Sequence, residues 1–102
     1  MLKIDGKKLS KHDLYVEELS SIIEEDYDQI LTNVPLYSKK NRLVGEIDIL
    51  GVKDGVFDIY EVKCSHRITK AAKQLKRIKK YYKQKIRNAF FFCGESGALI
   101  SF

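Results

Sequence analysis

The stretch Val44–Lys63 reads VGEIDILGVKDGVFDIYEVK and spells a β-hairpin. Asp54-Gly55 is its two-residue turn, because the turn that matches strand twist needs positive φ at both central positions, which Gly adopts freely and Asp tolerates. β-Branched and aromatic residues flank the turn on both sides. With this turn Lys53 pairs with Val56, and counting back along the strands sets Asp48 opposite Glu61 and Glu46 opposite Lys63. Side chains alternate with period 2, so Glu46, Asp48, Glu61 and Lys63 share one face, while Ile47, Ile49, Tyr60 and Val62 share the other. Two carboxylates directly opposite repel each other. The pattern therefore calls for a cation between Asp48 and Glu61, and a divalent metal held by oxygen ligands is the natural one. The alternative is a surface network of cross-strand ion pairs, which contributes little.

Working outward, the apolar residues Tyr15, Val16, Leu19, Ile22, Ile23 and Ile30 fall on one helical face, which predicts a first helix from Ser10 or Lys11 to about Leu31. Pro35, the only proline, marks its end or the entry to a short strand around Val34 to Tyr37. After the hairpin, Ser65 is a candidate N-cap for a second helix with the stripe Ile68, Ala71, Ala72, Leu75, Ile78 and Tyr82. The aromatic run AFFFC after Asn88 reads as a buried strand, Gly94 to Gly97 as a turn, and Ala98 to Phe102 as a last short strand. The expected order is helix, three strands, helix, two strands. A length of 102 residues suits one core, so a single α/β domain over residues 1–102 is expected, with no internal repeat or linker.

The net charge of +5 suits a polyanionic partner, and its distribution says more than its sum. Acidic residues crowd the first third (Glu17, Glu18, Glu24, Glu25, Asp26, Asp28), whereas from Lys63 to Gly94 every charged side chain is Lys or Arg. A one-sign block of this kind points to a nucleic-acid-facing surface. No apolar run approaches the roughly 18 residues of a membrane span, and no signal-peptide pattern opens the chain, so the expectation is a cytoplasmic protein that does not enter a membrane. Cys64 and Cys93 are too few and too isolated for a disulfide framework or a zinc site, and read as free thiols that pack as small hydrophobes.

GEID, a DG turn and a hydrophobic strand ending in Glu61-Val62-Lys63 together resemble the PD-(D/E)XK nuclease superfamily, with wording similar to small Holliday-junction-resolvase-like and RecB-like members. The resemblance covers roughly Asp13 to Phe92. It implies a restriction-endonuclease-like αβββαβ core, a mixed central sheet flanked by helices. It also implies that Asp48, Glu61 and the Val62 carbonyl hold Mg²⁺, with Mn²⁺ able to substitute, and that Lys63 orients the attacking water or stabilises transition-state charge. The family's acidic residue on the first helix matches Glu17 or Glu18 in VEEL, with Glu18 preferred because it borders the apolar face. His12 lies near the centre of the same stripe, one turn before Val16, and reads as a helix-end histidine within approach of the site. KQLKRIKKYY resembles the glutamine-then-tyrosine motif of RecB-like members, which assigns Gln74 to the site; Ile78 stands at the usual tyrosine position, and Tyr81 or Tyr82 can substitute.

The rest of the second helix, Lys70, Lys73, Lys76, Arg77, Lys80 and Lys83, forms a basic face suited to phosphate contacts. Lys70, Lys73, Arg77 and Tyr81 are the candidate nucleic-acid contacts, and a solvated helix face is the alternative. The expectation is a metal-dependent DNA endonuclease, directed by structure or ends rather than by sequence, acting as a homodimer in DNA repair or recombination. A catalytically silent nucleic-acid-binding module, or a subunit of a larger repair complex, is the competing reading.

Overall fold

The computed structural model describes residues 9–102. Helix α1 spans Lys11–Ile23 and continues as a short 3₁₀ turn, Glu24–Asp26. Its start is fixed by a capping box: Ser10 Oγ accepts from the Asp13 amide at 3.1 Å, and Asp13 accepts from the Ser10 amide at 3.3 Å. This satisfies two of the amides that a helix N-terminus leaves free. Strands β1 (Gln29–Tyr37), β2 (Leu43–Lys53) and β3 (Val56–Lys63) follow. Helix α2 (Ile68–Tyr81) then leads to β4 (Ile86–Cys93) and β5 (Ala98–Ser101). The strands form one five-stranded sheet in the order β1-β2-β3-β4-β5. Only the β3–β4 pair is parallel, because α2 carries the chain back across the sheet between them.

The expected order of elements holds, as does an α/β architecture with a mixed sheet flanked by helices. Asp54 and Gly55 both adopt positive φ, 49° and 78°, and Lys53 pairs with Val56 as the turn requires. Boundaries differ where local chemistry outweighs the apolar pattern. The first helix ends at Ile23 rather than near Leu31; Ile22 is 65% exposed, and Ile30 belongs to β1. Pro35 lies inside β1, a position a proline tolerates because β1 is an edge strand and the missing N–H need not face a neighbour. Arg67, not Ser65, holds the N-cap position of α2, without a side-chain cap.

Each face of the sheet is covered by one helix. On one side Val16, Leu19 and Ile23 of α1 pack against Ile49, Tyr60, Val62 and Phe92. On the other, Leu75 and Ile78 of α2 pack against Leu36, Ile47, Leu50, Ile59 and Ala89, and Ala71 meets Phe91 and Cys93. Ile47 thus joins the α2 side, not the side of Ile49 that strict alternation assigns. The alternation breaks where Asn33 of the neighbouring strand takes a left-handed conformation (φ 53°) between the pairs Thr32–Ile49 and Val34–Ile47. Gly94, just past β4, has Tyr15 of α1 pressed so close that a Cβ there would collide with the ring. Cys93 is buried and Cys64 half-buried, both as free thiols. Among the described residues no helix is long and apolar enough to cross a membrane.

Candidate active site at the split between β2 and β3

The antiparallel ladder between β2 and β3 runs from Lys53–Val56 to Ile49–Tyr60 and stops there. Beyond it Asp48 and Glu61 stand where the two strands part. The Asp48 carboxylate takes over the missing rung: its Oδ2 accepts from the Val62 amide at 2.8 Å. β3 keeps its parallel partner, since Glu61, Val62 and Lys63 pair with Phe91, Phe92 and Cys93. One side of the site is therefore held by a continuous ladder and the other by a side chain.

Glu61 is 2% exposed. Burial pushes its carboxyl up, the neighbouring Asp48 charge adds to the rise, and the Lys63 ammonium opposes it, leaving a pKa of about 8. Lys63 Nζ lies 3.2 Å from Glu61 Oε2. From α2, Gln74 closes the other flank. With its amide nitrogen turned to Glu61 it donates to Oε1 at 3.2 Å and also to Oε2. Lys63 Nζ lies 3.4 Å from the same end of that amide. Asp48, Glu61, Lys63 and Gln74, named from the sequence, therefore form one cluster drawn from β2, β3 and α2.

From α1 the residue that reaches the cluster is His12. Its Nε2 lies 3.3 Å from Asp48 Oδ2 and 3.0 Å from the Val62 carbonyl. The signal for it was the helical stripe His12, Val16, Leu19, Ile23, whose last three members are buried against the sheet. Glu18 and Glu17 are both exposed on α1, and among the described residues neither has a hydrogen bond or ion pair to Asp48 or Glu61. Glu46 is exposed too; it lines a shallow depression with Gln74 and Arg77 rather than pairing with Lys63.

Two carboxylates and the Val62 carbonyl present hard oxygen donors, the chemistry that suits Mg²⁺ or Mn²⁺. Among the described residues no three His, Cys, Asp or Glu side chains converge on one point as a ready metal cluster. The fit to a divalent cation rests instead on charge: Glu61 and Asp48 are buried side by side with Lys63 as the nearby ammonium, and burial of paired carboxylates favours a further cation. On α2, Lys70, Lys73 and Arg77 are exposed and Tyr81 is half-buried. Gln74, Arg77 and Tyr81 follow Lys70 at i+4, i+7 and i+11, so one helical row leads from the carboxylates along the basic face.

A second buried polar group lies on the α1 side of β3. Asp58 accepts from Arg87 at 3.1 and 2.8 Å, from Tyr27 Oη at 2.6 Å and from the Asn88 amide at 3.1 Å. Burial pushes the Asp58 carboxyl up, but the hydrogen bonds from Arg87 and Tyr27 outweigh it and hold the group below the usual carboxylate range. Burial also raises the hydroxyls of Tyr27 and Tyr60, which lie 2.5 Å apart. Every oxygen here is satisfied within the protein, so the network joins β3, β4 and the segment before β1 rather than awaiting a ligand.

No protein-family model matches the chain, and no curated protein matches it either.

Proposed function

We propose that the chain is a metal-dependent deoxyribonuclease of the restriction-endonuclease-like type, directed by DNA structure or ends rather than by sequence. The observation that carries this reading is the buried Asp48–Glu61 pair with Lys63 at 3.2 Å and Gln74 against it. A structural ion pair needs one charge of each sign, whereas here two buried carboxylates share the one lysine ammonium at the point where the ladder opens. A divalent ion bound by Asp48, Glu61 and the Val62 carbonyl would neutralise charge on the phosphoryl oxygens and supply a hydroxide-like water.

The protein's own contribution is positional. Lys63 holds Glu61 and presents an ammonium to a phosphate oxygen or to the attacking water. Gln74 fixes the Glu61 rotamer from α2, and His12 holds both Asp48 and the Val62 carbonyl from α1. Arg77 and the lysines beyond it bind the phosphate backbone without reading bases. We extend the reading to a homodimer through the edge strand β5, whose Leu99 and the adjoining Phe102 are exposed; a monomeric mass at micromolar concentration rejects that extension.

The test is incubation with labelled four-way junction, flap, duplex and single-stranded DNA in Mg²⁺, Mn²⁺ or EDTA, beside Lys63→Ala. Cutting that needs metal and is lost in Lys63→Ala is expected. Binding without cutting in any metal by folded protein assigns the chain instead to a silent DNA-binding module or to a subunit that requires a partner.

A further inference from the structure

About two turns along α2 from Gln74, the helix end and the β1–β2 hairpin enclose an open groove of about 960 Å³. Tyr37, Lys39 and Arg42 line it from the hairpin, and Lys80, Tyr81 and Lys83 from the helix end. Among the described residues no carboxylate lines it. The hairpin loop is braced from within: the Ser38 amide donates to the Arg42 carbonyl at 2.9 Å, and the amides of Lys40 and Arg42 reach Ser38 Oγ at 3.3 Å. Asn41 takes positive φ, 60°, to close the turn. The cations of this loop are therefore presented on an ordered backbone. Tyr37 is 50% exposed, and Lys80 Nζ stands 5.2 Å from the centre of the Tyr81 ring.

We infer that this groove binds a single-stranded segment of DNA, with unpaired bases stacked on Tyr37 and Tyr81 and phosphates held by Lys39, Arg42, Lys80 and Lys83. Lysines alone would serve a duplex as well, because duplex phosphates are accessible. The tyrosines decide between them: a ring face gains stacking only from a base that is not already sandwiched in a helix. The size also fits, since the groove is at the upper end of the range that encloses small ligands, and it is open, as a passing strand needs. From Gln74 to Tyr81 is seven residues of helix, about 10 Å at 1.5 Å per residue. At about 3.4 Å per phosphate or more, this places the groove within about three nucleotides of the carboxylates, with Arg77 between. The cleavage position rests on the proposed nuclease reading; the binding rests on the groove alone. The preferred substrate is then a junction between duplex and single strand, with the single strand lying in the groove.

The test is fluorescence anisotropy in EDTA with labelled single-stranded DNA, a blunt duplex of the same length and single-stranded RNA of the same sequence, using wild type, Tyr37→Ser, Tyr37→Phe and Lys83→Gln. Stacking contributes about 1 to 3 kcal/mol per base, so Tyr37→Ser should weaken single-strand binding by about 5- to 150-fold and leave duplex binding unchanged. Tyr37→Phe keeps the ring and should restore the affinity. Lys83→Gln should lower the salt dependence by about 0.7 in the log–log slope. Equal binding of single strand and duplex, with Tyr37→Ser like wild type, overturns the inference; tighter binding of RNA overturns the assignment to DNA. The two readings fail separately. Single-strand binding that depends on Tyr37, with no cutting in any metal, keeps the groove and rejects the nuclease. Metal-dependent cutting with no effect of Tyr37→Ser on binding does the reverse.

Discussion

The Nε2 atom of His12 stands 3.3 Å from Oδ2 of Asp48 and so ties the first helix to the strand that carries the carboxylate. The same nitrogen lies 3.0 Å from the Val62 carbonyl, so one ring atom serves both strands at the point where they part. His12→Ala removes both contacts. The expected result is a loss of about 1 kcal/mol in urea unfolding, together with slower metal-dependent cutting. Cutting at the wild-type rate would show that the ring has no part in the proposed reaction.

Glu61 makes stability depend on pH. In the folded protein its carboxyl keeps a proton up to about 8, against an ordinary value of 4.5. Between those limits the folded state binds more protons than the unfolded one, so its stability is full below 4.5 and falls as pH rises towards 8. Metal-free protein should lose up to about 1.4 kcal/mol per pH unit in that window. Glu61→Gln, uncharged at every pH, should flatten the profile; thermal denaturation in EDTA from pH 5 to pH 8 measures it. A wild-type profile as flat as the variant's would reject the buried-acid assignment.

Lys63 acts on the same carboxyl with the opposite sign, because its ammonium lowers what burial and Asp48 raise. Lys63→Ala should move the Glu61 titration upward, as read by NMR of carboxyl-labelled glutamate. An unmoved titration would mean that the ammonium does not bear on Glu61 in solution.

Asp58 gives a prediction about stability alone. Asp58→Ala strands the Tyr27 hydroxyl, the Asn88 amide and the Arg87 guanidinium around an empty position. Arg87 is exposed and can turn to water, so the loss is that of the hydrogen bonds to the buried Asp58 carboxylate, about 1.5 to 3 kcal/mol. Denaturant unfolding should show the loss, while the proposed DNA binding, measured below the transition, should be the same as in wild type. A change within 0.5 kcal/mol, about the scatter of a surface substitution, would contradict the network's structural role.

Much of this arrangement is legible in the residues, and the illegible part has identifiable causes. The Asp54-Gly55 turn allows one register, and that register brings Asp48 and Glu61 to the same place in the sheet. Gln74, which the resemblance of KQLKRIKKYY implies for the site, lies against Glu61. The face of Ile47 was not legible, because the alternation breaks beside the left-handed Asn33, which lies in a different strand. Nor was the choice between His12 and Glu18. Helical periodicity ranks positions by direction, but only the placement of α1 on the sheet, set by the capping box at Ser10 and by Tyr15 against Gly94, decides which one reaches the carboxylates. The second half of β1 was readable from Val34 onward, whereas Gln29 to Leu31 continued the helical pattern in sequence and became strand through pairing with β2.

The rung that Asp48 supplies to Val62 has a practical consequence for any test of the proposed activity. Alanine at position 48 removes a charge from the site and at the same moment leaves a buried amide without a partner, a defect of about 1 to 3 kcal/mol. A loss of cutting in Asp48→Ala is then ambiguous between chemistry and architecture. Asparagine keeps an oxygen for the Val62 amide, and Glu61→Gln leaves the Asp48 rung untouched, so these two substitutions separate what the site does from what keeps it standing.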